Sequence, residues 1–111
     1  MLIKKNRLKK KRDFENVFKK GKSFKQGFLL LKMINNKSEK IRFGFIISQK
    51  VSKKATIRNK LKRQISEIIN SQIKKIKKGI DGILVALPGI KERNFPEIKE
   101  NIDKLFKKAG I

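Results

Sequence analysis

The segment at residues 50–67 constrains this chain most, because it combines a dense string of cations with the apolar spacing of a helix. With about 100° per residue, four aliphatic side chains fall in a stripe roughly 80° wide: Ile57, Leu61, Ile65 and Ile68. The adjoining side, about 140° wide, carries in order Arg58, Lys62, Asn59 and Arg63. The segment therefore predicts a helix that buries one side and holds cations on the other. Cations fixed in this way suit phosphates better than a disordered lysine tail.

The charge of the chain indicates a polyanionic partner. Its 111 residues include 32 Lys and Arg against nine Asp and Glu, a formal net charge of +23. Repulsion on this scale destabilises a small fold, whereas phosphates would relieve it and release condensed counterions. The longest apolar runs, residues 27–31 and 83–87, are much too short to span a bilayer, and the N-terminus lacks the apolar stretch of a signal peptide. We expect a soluble cytoplasmic protein.

Length and aliphatic content predict a single domain over residues 1–111, with residues 1–12 as a basic N-terminal arm. The chain has no cysteine, so its core must rest on aliphatic burial. A short helix is expected at residues 13–20, with Asp13 as its N-cap and Gly21 after its end. Runs rich in β-favouring residues at 28–34 and 41–48 predict an antiparallel hairpin, with a short strand at 23–25 before it.

In the second of these strands, alternate residues should point to opposite sides of the sheet. One side receives Phe43, Phe45 and Ile47, and the other receives Gly44, Ile46 and Ser48.

The second half of the chain continues with a helix, a strand and a helix. The cationic helix should follow a basic connection at residues 49–54, extend to about residue 77 and end at Gly79. Residues 82–88 have the pattern of a buried strand closed by Pro88. Asn94 is the expected N-cap of the last helix, and Pro96 suits its first turn. Its apolar stripe consists of Ile98, Ile102, Leu105, Phe106 and Ala109. This order predicts an α+β two-layer sandwich with helices packed on a small sheet.

The side chains that perform most protein catalysis are missing, because the sequence has no His, Cys, Tyr or Trp. Glu97, Glu100 and Asp103 lie at helical spacing and could hold Mg²⁺. A structural role within the helix fits these residues better than a metal site, since Glu100 and Lys104 form a helix pair and acidic residues suit the N-terminal half of a helix. We assign no catalytic residue to this chain.

Two other features have alternative interpretations. Phe14 and Phe18 either pack in the core or offer surfaces on which bases stack, and the sequence leaves both open. The basic runs at residues 9–12 and 74–78 fit diffuse phosphate contacts better than specific ones.

Two motifs carry a resemblance that covers nearly the whole chain. The first is Asn-Arg-Leu-Lys-Lys at residues 6–10 followed by Asp13-Phe14-x-x-Val17-Phe18-x-x-Gly21, and the second is Arg58-Asn59-Lys60-Leu61-Lys62-Arg63. Together, in this order and at this length and charge, they resemble the protein subunit of bacterial ribonuclease P. The resemblance implies the order αβββαβα and a small mixed sheet with a left-handed βαβ crossover. It also implies a basic protein within a ribonucleoprotein endonuclease, whose RNA uses Mg²⁺ to remove the 5′ leader of precursor tRNA.

The resemblance assigns residues to two RNA-binding sites. The catalytic RNA is expected to contact Lys50, Lys53, Lys54, Arg58, Asn59, Lys60, Lys62 and Arg63. The leader is expected in a cleft between the first helix and the sheet, at Arg7, Lys11, Arg12, Phe14, Phe18 and Leu31. Lys60 stands where the family usually has arginine, so a point charge replaces bidentate recognition. Leu31 stands where a leader-facing tyrosine is common, which would remove one stacking platform.

The expected partners are the catalytic RNA and precursor tRNA with its 5′ leader. The protein is expected to be a monomer within the ribonucleoprotein and to bind no cofactor tightly, the Mg²⁺ being used by the RNA. Two alternatives remain open. One is a ribosomal or general RNA-binding protein without a processing role, and the other is a protein of the membrane surface.

Overall fold

The computed structural model describes residues 4–111, which form three helices and four strands. The strands are β1 (Lys22–Gln26), β2 (Leu29–Asn35), β3 (Ile41–Ile46) and β4 (Ile80–Ala86). The helices are α1 (Lys11–Lys20), α2 (Ala55–Gln72) and α3 (Phe95–Ala109). Single 3-10 turns lie at Lys4–Asn6, Ile73–Lys75 and Ile90–Glu92. The order αβββαβα and the α+β class are as predicted.

The four strands form one mixed sheet in the order β1-β2-β4-β3. β1 and β2 are antiparallel, while β4 is antiparallel to β2 and parallel to β3. The predicted hairpin between the second and third strands is therefore wrong, because β4 lies between them. Six of the seven residues of β4 are buried, and a strand buried on both faces belongs in the middle of a sheet. Helix α2 connects the parallel pair β3 and β4, and the left-handed sense of that connection stays a prediction.

The main core lies between α2, α3 and one face of the sheet, which we call the closed face. Phe43 of β3 stacks on Phe106 of α3 with ring centroids 5.7 Å apart. Both predicted helical stripes point into this core. Its helical members are Leu61, Ile65, Ile68, Ile69, Ile98, Ile102, Leu105 and Phe106, whereas Ile57 and Ala109 are half-buried at its margin.

The opposite face, which we call the open face, is covered only in part by α1. Val17 of α1 is completely buried against Ile83 and Leu8 in a second, smaller cluster. The predicted alternation along β3 is confirmed: Phe43 and Phe45 lie on the closed face, and Ile46 lies on the open face. A ten-residue helix covers less of the sheet than the 18 and 15 residues of α2 and α3. The two faces thus differ in how completely they are covered.

The start of α1 differs from the prediction. The helix begins at Lys11 with Lys10 as its N-cap, so Asp13 lies inside the first turn. Its carboxylate is 3.5 Å from the guanidinium of Arg42, an ion pair that only a contact distant in sequence could supply. Gly21 has an extended backbone with φ −74° rather than a left-handed one. Glycine is needed there because a Cβ would overlap the carbonyl oxygen of Val17.

Helix α2 begins where predicted but ends at Gln72 rather than near residue 77. After it, the chain turns so that Ile76 is buried in the main core. Gly79 does not end the helix. It lies where this connection packs against the β2–β3 loop, and a Cβ would overlap the carbonyl oxygen of Ser38. β4 accordingly starts at Ile80, two residues earlier than predicted.

The segment before α1 is attached to the sheet rather than free, so the described part of the predicted arm is structured. The Asn6 side-chain amide donates to the carbonyl of Ile41 at 2.7 Å, and the Leu8 amide donates to the carbonyl of Phe43 at 2.9 Å. Leu8 is buried and Arg7 forms a parallel bridge with Phe43. Residues 1–3 of the predicted arm lie outside the described residues.

The predicted cap of α3 is confirmed. The Asn94 side chain accepts from the Glu97 amide at 3.0 Å, and the Glu97 carboxylate accepts from the Asn94 amide at 3.1 Å. Across residues 4–111, no helix is long and apolar enough to cross a membrane.

Candidate nucleic-acid interface

Helix α2 exposes most of the predicted cationic side chains and buries its other side. The exposed members of the predicted set are Lys50, Lys53, Lys54, Asn59, Lys60, Lys62 and Arg63. Within the described chain, no side chain caps the helix at Lys54, and its first turn contains no acidic residue. The positive end of the helix dipole therefore adds to the cations that lie beside it. This combination favours binding of an anion chain along the outer side of α2.

Arg58 differs from its neighbours because it also organises the preceding loop. It is half-buried, and its Nη1 donates to the carbonyl of Ser52 at 2.9 Å. The buried Ser52 hydroxyl accepts from the Lys54 amide at 3.2 Å, so both bonds fix the loop against the helix start. A guanidinium has five N–H donors, so Arg58 has further donors besides the one that bonds to Ser52. This structural role could not be predicted from the sequence, because a backbone carbonyl partner leaves no mark in a pattern of side chains.

Lys60 is separated from the other cations of α2. It lines a groove between α2 and the start of α3, together with Ile57, Lys91 and Phe95. Lys62 lies on the other side of α2 and lines a pocket against β3. At about 100° per residue, Leu61 lies between the two lysines, so a helical wheel of the sequence already separates Lys60 from Lys62. The structure thus places the predicted set on two sides of the helix rather than on one.

On the open face, Phe18 presents its ring beside a cation. The side chain is 39% exposed, and the Lys32 Nζ lies 5.4 Å from the ring centroid. Lys11, Phe14 and Phe18 lie at i, i+3 and i+7, so they share one side of α1. Arg12 is exposed but lies about 160° around the helix from Phe14, so it does not join that row.

Phe14 and Phe18, for which the sequence left core packing and base stacking open, have different environments. Phe14 is half-buried in the smaller cluster, and the tip of its ring lies where a Cβ on Gly44 would be. Gly44 therefore provides the space in which Phe14 packs on β3. Phe18 lies at the open margin of α1 and keeps a free ring edge.

Leu31 does not lie in the cleft between α1 and the sheet, where the prediction placed it. It is fully buried in the main core, on the closed face. Because successive residues of a strand point to opposite faces, its neighbours Leu30 and Lys32 face the open side instead. The predicted position was thus one residue away from a suitable one.

Three half-buried aliphatic side chains on the open face were missed by the sequence analysis. Leu30, Ile46 and Val85 come from three different strands, and the smaller cluster includes the last two. Lys25 pairs with Leu30 in the register of β1 and β2, so a cation flanks this apolar strip. Alternation identifies the face of each residue, but only the strand order brings the three together. The open face therefore combines apolar and cationic surface.

An ion-pair network anchors α1 to the sheet and was also missed. Arg42 donates from Nε and Nη2 to the two carboxylate oxygens of Asp81, at 2.9 and 2.7 Å. Asn36 donates to the same carboxylate at 2.8 Å, and Asp13 completes the network. The hydrogen bonds with Asp81 raise the pKa of Arg42, and burial opposes them only in part. Asp81 and Asp13 thus share one fixed cation, which offsets part of their negative charge.

The acidic residues of α3 have structural partners, in agreement with the interpretation preferred above. Glu97 belongs to the helix cap, Glu100 pairs with Lys104 at 3.0 Å, and Asp103 pairs with Lys99 at 3.1 Å. In the part of the chain that the structure describes, no three His, Cys, Asp or Glu residues lie close enough together to hold a metal ion. The side chains present suit binding of an anionic polymer.

Comparison with known proteins gives one consistent result. The family model for ribonuclease P matches residues 2–110. A ribonuclease P protein component from Synechocystis sp. is 41% identical over 106 residues, which cover 95% of this chain and 86% of the relative. A Staphylococcus aureus RNase P protein, a mutant with defective mRNA degradation activity, superposes with a TM-score of 0.88 at 30% identity, covering 95% of this chain and 88% of that one. The RNase P protein of Thermotoga maritima gives 0.83 at 32% identity, covering 92% and 96%.

Proposed function

The chain belongs to the ribonuclease P protein family, and from this premise we propose that it binds a catalytic RNA and the 5′ leader of precursor tRNA. As one copy within the ribonucleoprotein, it assists removal of the leader, a Mg²⁺-dependent hydrolysis that the RNA performs. The observation that carries the proposal is helix α2, which buries one side in the main core and exposes cations on the other.

The catalytic RNA is assigned to the outer side of α2 and the loop before it. A side chain that is attached to a packed helix loses little conformational freedom on binding, so its contact with phosphate is preorganised. Lys62 and Arg63 are exposed on that side, and Arg58 holds the loop carrying Lys53 and Lys54. Phosphates bound there would also reduce the repulsion within a chain of net charge +23.

The leader is assigned to the open face beside α1. Single-stranded RNA binds well where aromatic rings accept stacked bases and cations follow the backbone. Phe18 and Lys32 provide one such pair, and the aliphatic strip of Leu30, Ile46 and Val85 extends the apolar surface. Stacking and backbone contacts demand no particular base, so this site should accept leaders of many sequences.

The bond-breaking chemistry is assigned to the RNA. The sequence offers no His, Cys, Tyr or Trp as a base or nucleophile, and the acidic residues of α3 are engaged in a cap and in helix pairs. Among the side chains that the structure describes, no group of His, Cys, Asp or Glu is suited to a resident metal ion. We therefore assign Mg²⁺ to the RNA and give this chain a binding and positioning role.

Reconstitution tests this proposal. Precursor tRNA is incubated at low Mg²⁺ with purified catalytic RNA, with and without the protein, and in parallel with the protein alone. We expect the protein to raise the rate of leader removal and to cleave nothing by itself. No increase would favour the alternative of a general RNA-binding protein. Cleavage by the protein alone, purified free of contaminating nucleases, would overturn the assignment of catalysis to the RNA. The protein-alone arm is essential because the Staphylococcus aureus relative is described as a mutant with defective mRNA degradation activity.

A further inference from the structure

Helix α1 touches the edge strand β3 with two successive side chains near its start. The Asp13 carboxylate lies 3.5 Å from Nη1 of Arg42, and the tip of the Phe14 ring lies against Gly44. Arg42 and Gly44 are two residues apart on β3, so both belong to the open face of the sheet. One polar and one apolar contact therefore place the start of α1 on the sheet.

Arg42 is a fixed partner rather than a mobile surface cation. The parallel register of β3 and β4 places it beside Asp81, and its Nε and Nη2 donate to the two oxygens of that carboxylate at 2.9 and 2.7 Å. Asn36 donates to the same carboxylate, whose side chain is only 6% exposed. A planar guanidinium held as a fork on a buried carboxylate has one defined direction left for its third nitrogen. That nitrogen points to Asp13.

The other contacts of α1 leave its rotation about its own axis poorly fixed. Among the ten residues of the helix, all of them described, Val17 is the one that is completely buried. The chain before α1 is bonded to β3 as far as Leu8, and Lys10 makes no side-chain cap bond. A helix with one fully buried side chain can rotate about its axis at little cost in apolar burial. The contacts of Asp13 and Phe14 therefore decide which way the side chains of α1 point.

The sign of the charge indicates that Asp13 acts through geometry. A carboxylate repels phosphate, so by Coulomb forces alone this chain would bind RNA more tightly without it. The Asp13 side chain is 21% exposed, so its charge is not hidden from a ligand. Phe14 and Phe18 lie one turn apart on the same side of α1, so a rotation of the helix moves both rings together. Electrostatics and geometry thus predict opposite results for the loss of this carboxylate.

We propose that Asp13 and Arg42 are positioning residues that set the preference for leader-bearing RNA. Their ion pair fixes the rotation of α1, so that the Phe18 ring lies beside Lys32, whose Nζ is 5.4 Å from the ring centroid. Asp81 acts only through Arg42, which it holds in place. This proposal rests on the proposed function, since it takes the open face as the leader site.

The first test compares Asp13→Asn with Glu15→Gln. Both remove one negative charge from α1, but Glu15 is exposed and its partner, Lys11 at 4.0 Å, is on the same helix. The reconstituted complex of protein and catalytic RNA is titrated with leader-bearing precursor tRNA and with mature tRNA. In Asp13→Asn the ratio of the two affinities should fall about threefold or more, as for residues coupled within one network, whereas Glu15→Gln should not lower it. An unchanged or raised ratio in Asp13→Asn would overturn the proposal.

Two further variants separate geometry from charge. Arg42→Lys keeps the net charge but replaces the fork that joins Asp81 and Asp13 by a single ammonium group, so the ratio should fall as in Asp13→Asn. Asp13→Glu keeps the carboxylate and should retain most of the leader preference. Full leader preference in Arg42→Lys would contradict the positioning role. Because Arg42→Lys changes no charge, it also carries the test if Asp13→Asn fails to fold.

NMR of the free protein separates this proposal from the proposed function. The Phe14 ring lies against Gly44, so ring-current shifts of the Gly44 α protons report the position of α1 without any RNA. These shifts should decrease in Asp13→Asn and Arg42→Lys and stay as in wild type in Glu15→Gln. Wild-type shifts in all three variants would show that the ion pair does not place α1, which ends the proposal. A wild-type complex that does not prefer the leader would overturn the leader assignment instead, while decreased Gly44 shifts in the two variants would still support the ion pair as the contact that places α1.

Discussion

The closed and open faces of the sheet receive alternate residues of the same strands but bury them to different extents. On β2, Leu29 and Leu31 are completely buried on the closed face, whereas Leu30 between them is half-buried on the open face. The closed face has two helices of 18 and 15 residues above it, and the open face has one of ten. One short helix cannot cover four strands, so apolar surface remains there for a ligand.

This difference separates stability from binding within one small domain. Burial on the closed face supplies most of the hydrophobic free energy, because it removes the larger apolar area from water. The open face gains less from burial and keeps Phe18 and Lys32 accessible. Substitutions at neighbouring positions of one strand should therefore affect different properties of the protein.

The largest effect is expected from Leu31→Ala compared with Leu30→Ala. Loss of the fully buried Leu31 leaves a cavity in the main core, so the free energy of unfolding should fall by about 2–5 kcal/mol. Leu30→Ala, at a half-buried position, should lower the free energy of unfolding by only roughly 1 kcal/mol. It should instead weaken binding of the leader. Urea denaturation measures the loss of stability in each variant. Equal destabilisation by the two variants would break the contrast between the faces.

The sequence predicted the elements well because their signals are local. Helical stripes, the Asn94 cap and the alternation along β3 depend on spacing within a few residues, and all three were confirmed. The pairing of strands is not local. The polar turn at residues 35–40 fits a hairpin, but the strand buried on both faces, β4, takes the central place instead.

The sequence predicted the exposure of single side chains in the candidate site better than it predicted which side chains lie together. Exposed cations such as Lys62 and Arg63 follow from the helical wheel. Leu31 was misplaced because a strand's alternation fixes two faces without saying which one receives α1. The Arg42–Asp81 pair joins residues 39 positions apart, and no spacing rule connects them. Tertiary contacts decide such positions.

An intermediate effect is expected from Phe18→Ala. Removing one stacking ring should weaken binding of leader-bearing precursor tRNA by about 1–3 kcal/mol and leave mature tRNA nearly unaffected. Phe28→Ala is the matched control, since Phe28 also lies under a cation, with the Arg93 guanidinium 4.3 Å from its ring centroid, but packs on the closed face. It should cost stability without changing the preference for the leader. If both tRNAs lost affinity equally in Phe18→Ala, the open face would not be the leader site.

The smallest effect is expected on α2, the helix that packs on the closed face and is proposed to bind RNA through its outer side. Arg63→Ala should leave the free energy of unfolding within about 0.5 kcal/mol of wild type, because the side chain is exposed. It should make the negative slope of log affinity against log salt for the catalytic RNA shallower by about 0.7–0.9, the range for one phosphate contact on single- and double-stranded nucleic acid.

Arg58→Ala sharpens this last comparison, because Arg58 is on the same helix but also donates to the Ser52 carbonyl. Its loss should reduce the salt slope and also destabilise the fold by about 1 kcal/mol, the net value of one hydrogen bond. Lys104→Ala on α3, whose partner is Glu100, controls for a change of net charge and should leave the slope unchanged. A shallower salt dependence in all three variants would mean that RNA affinity depends only on the total charge of the protein. A lower slope in Arg58→Ala and Arg63→Ala alone would mean that the fixed positions on α2 matter.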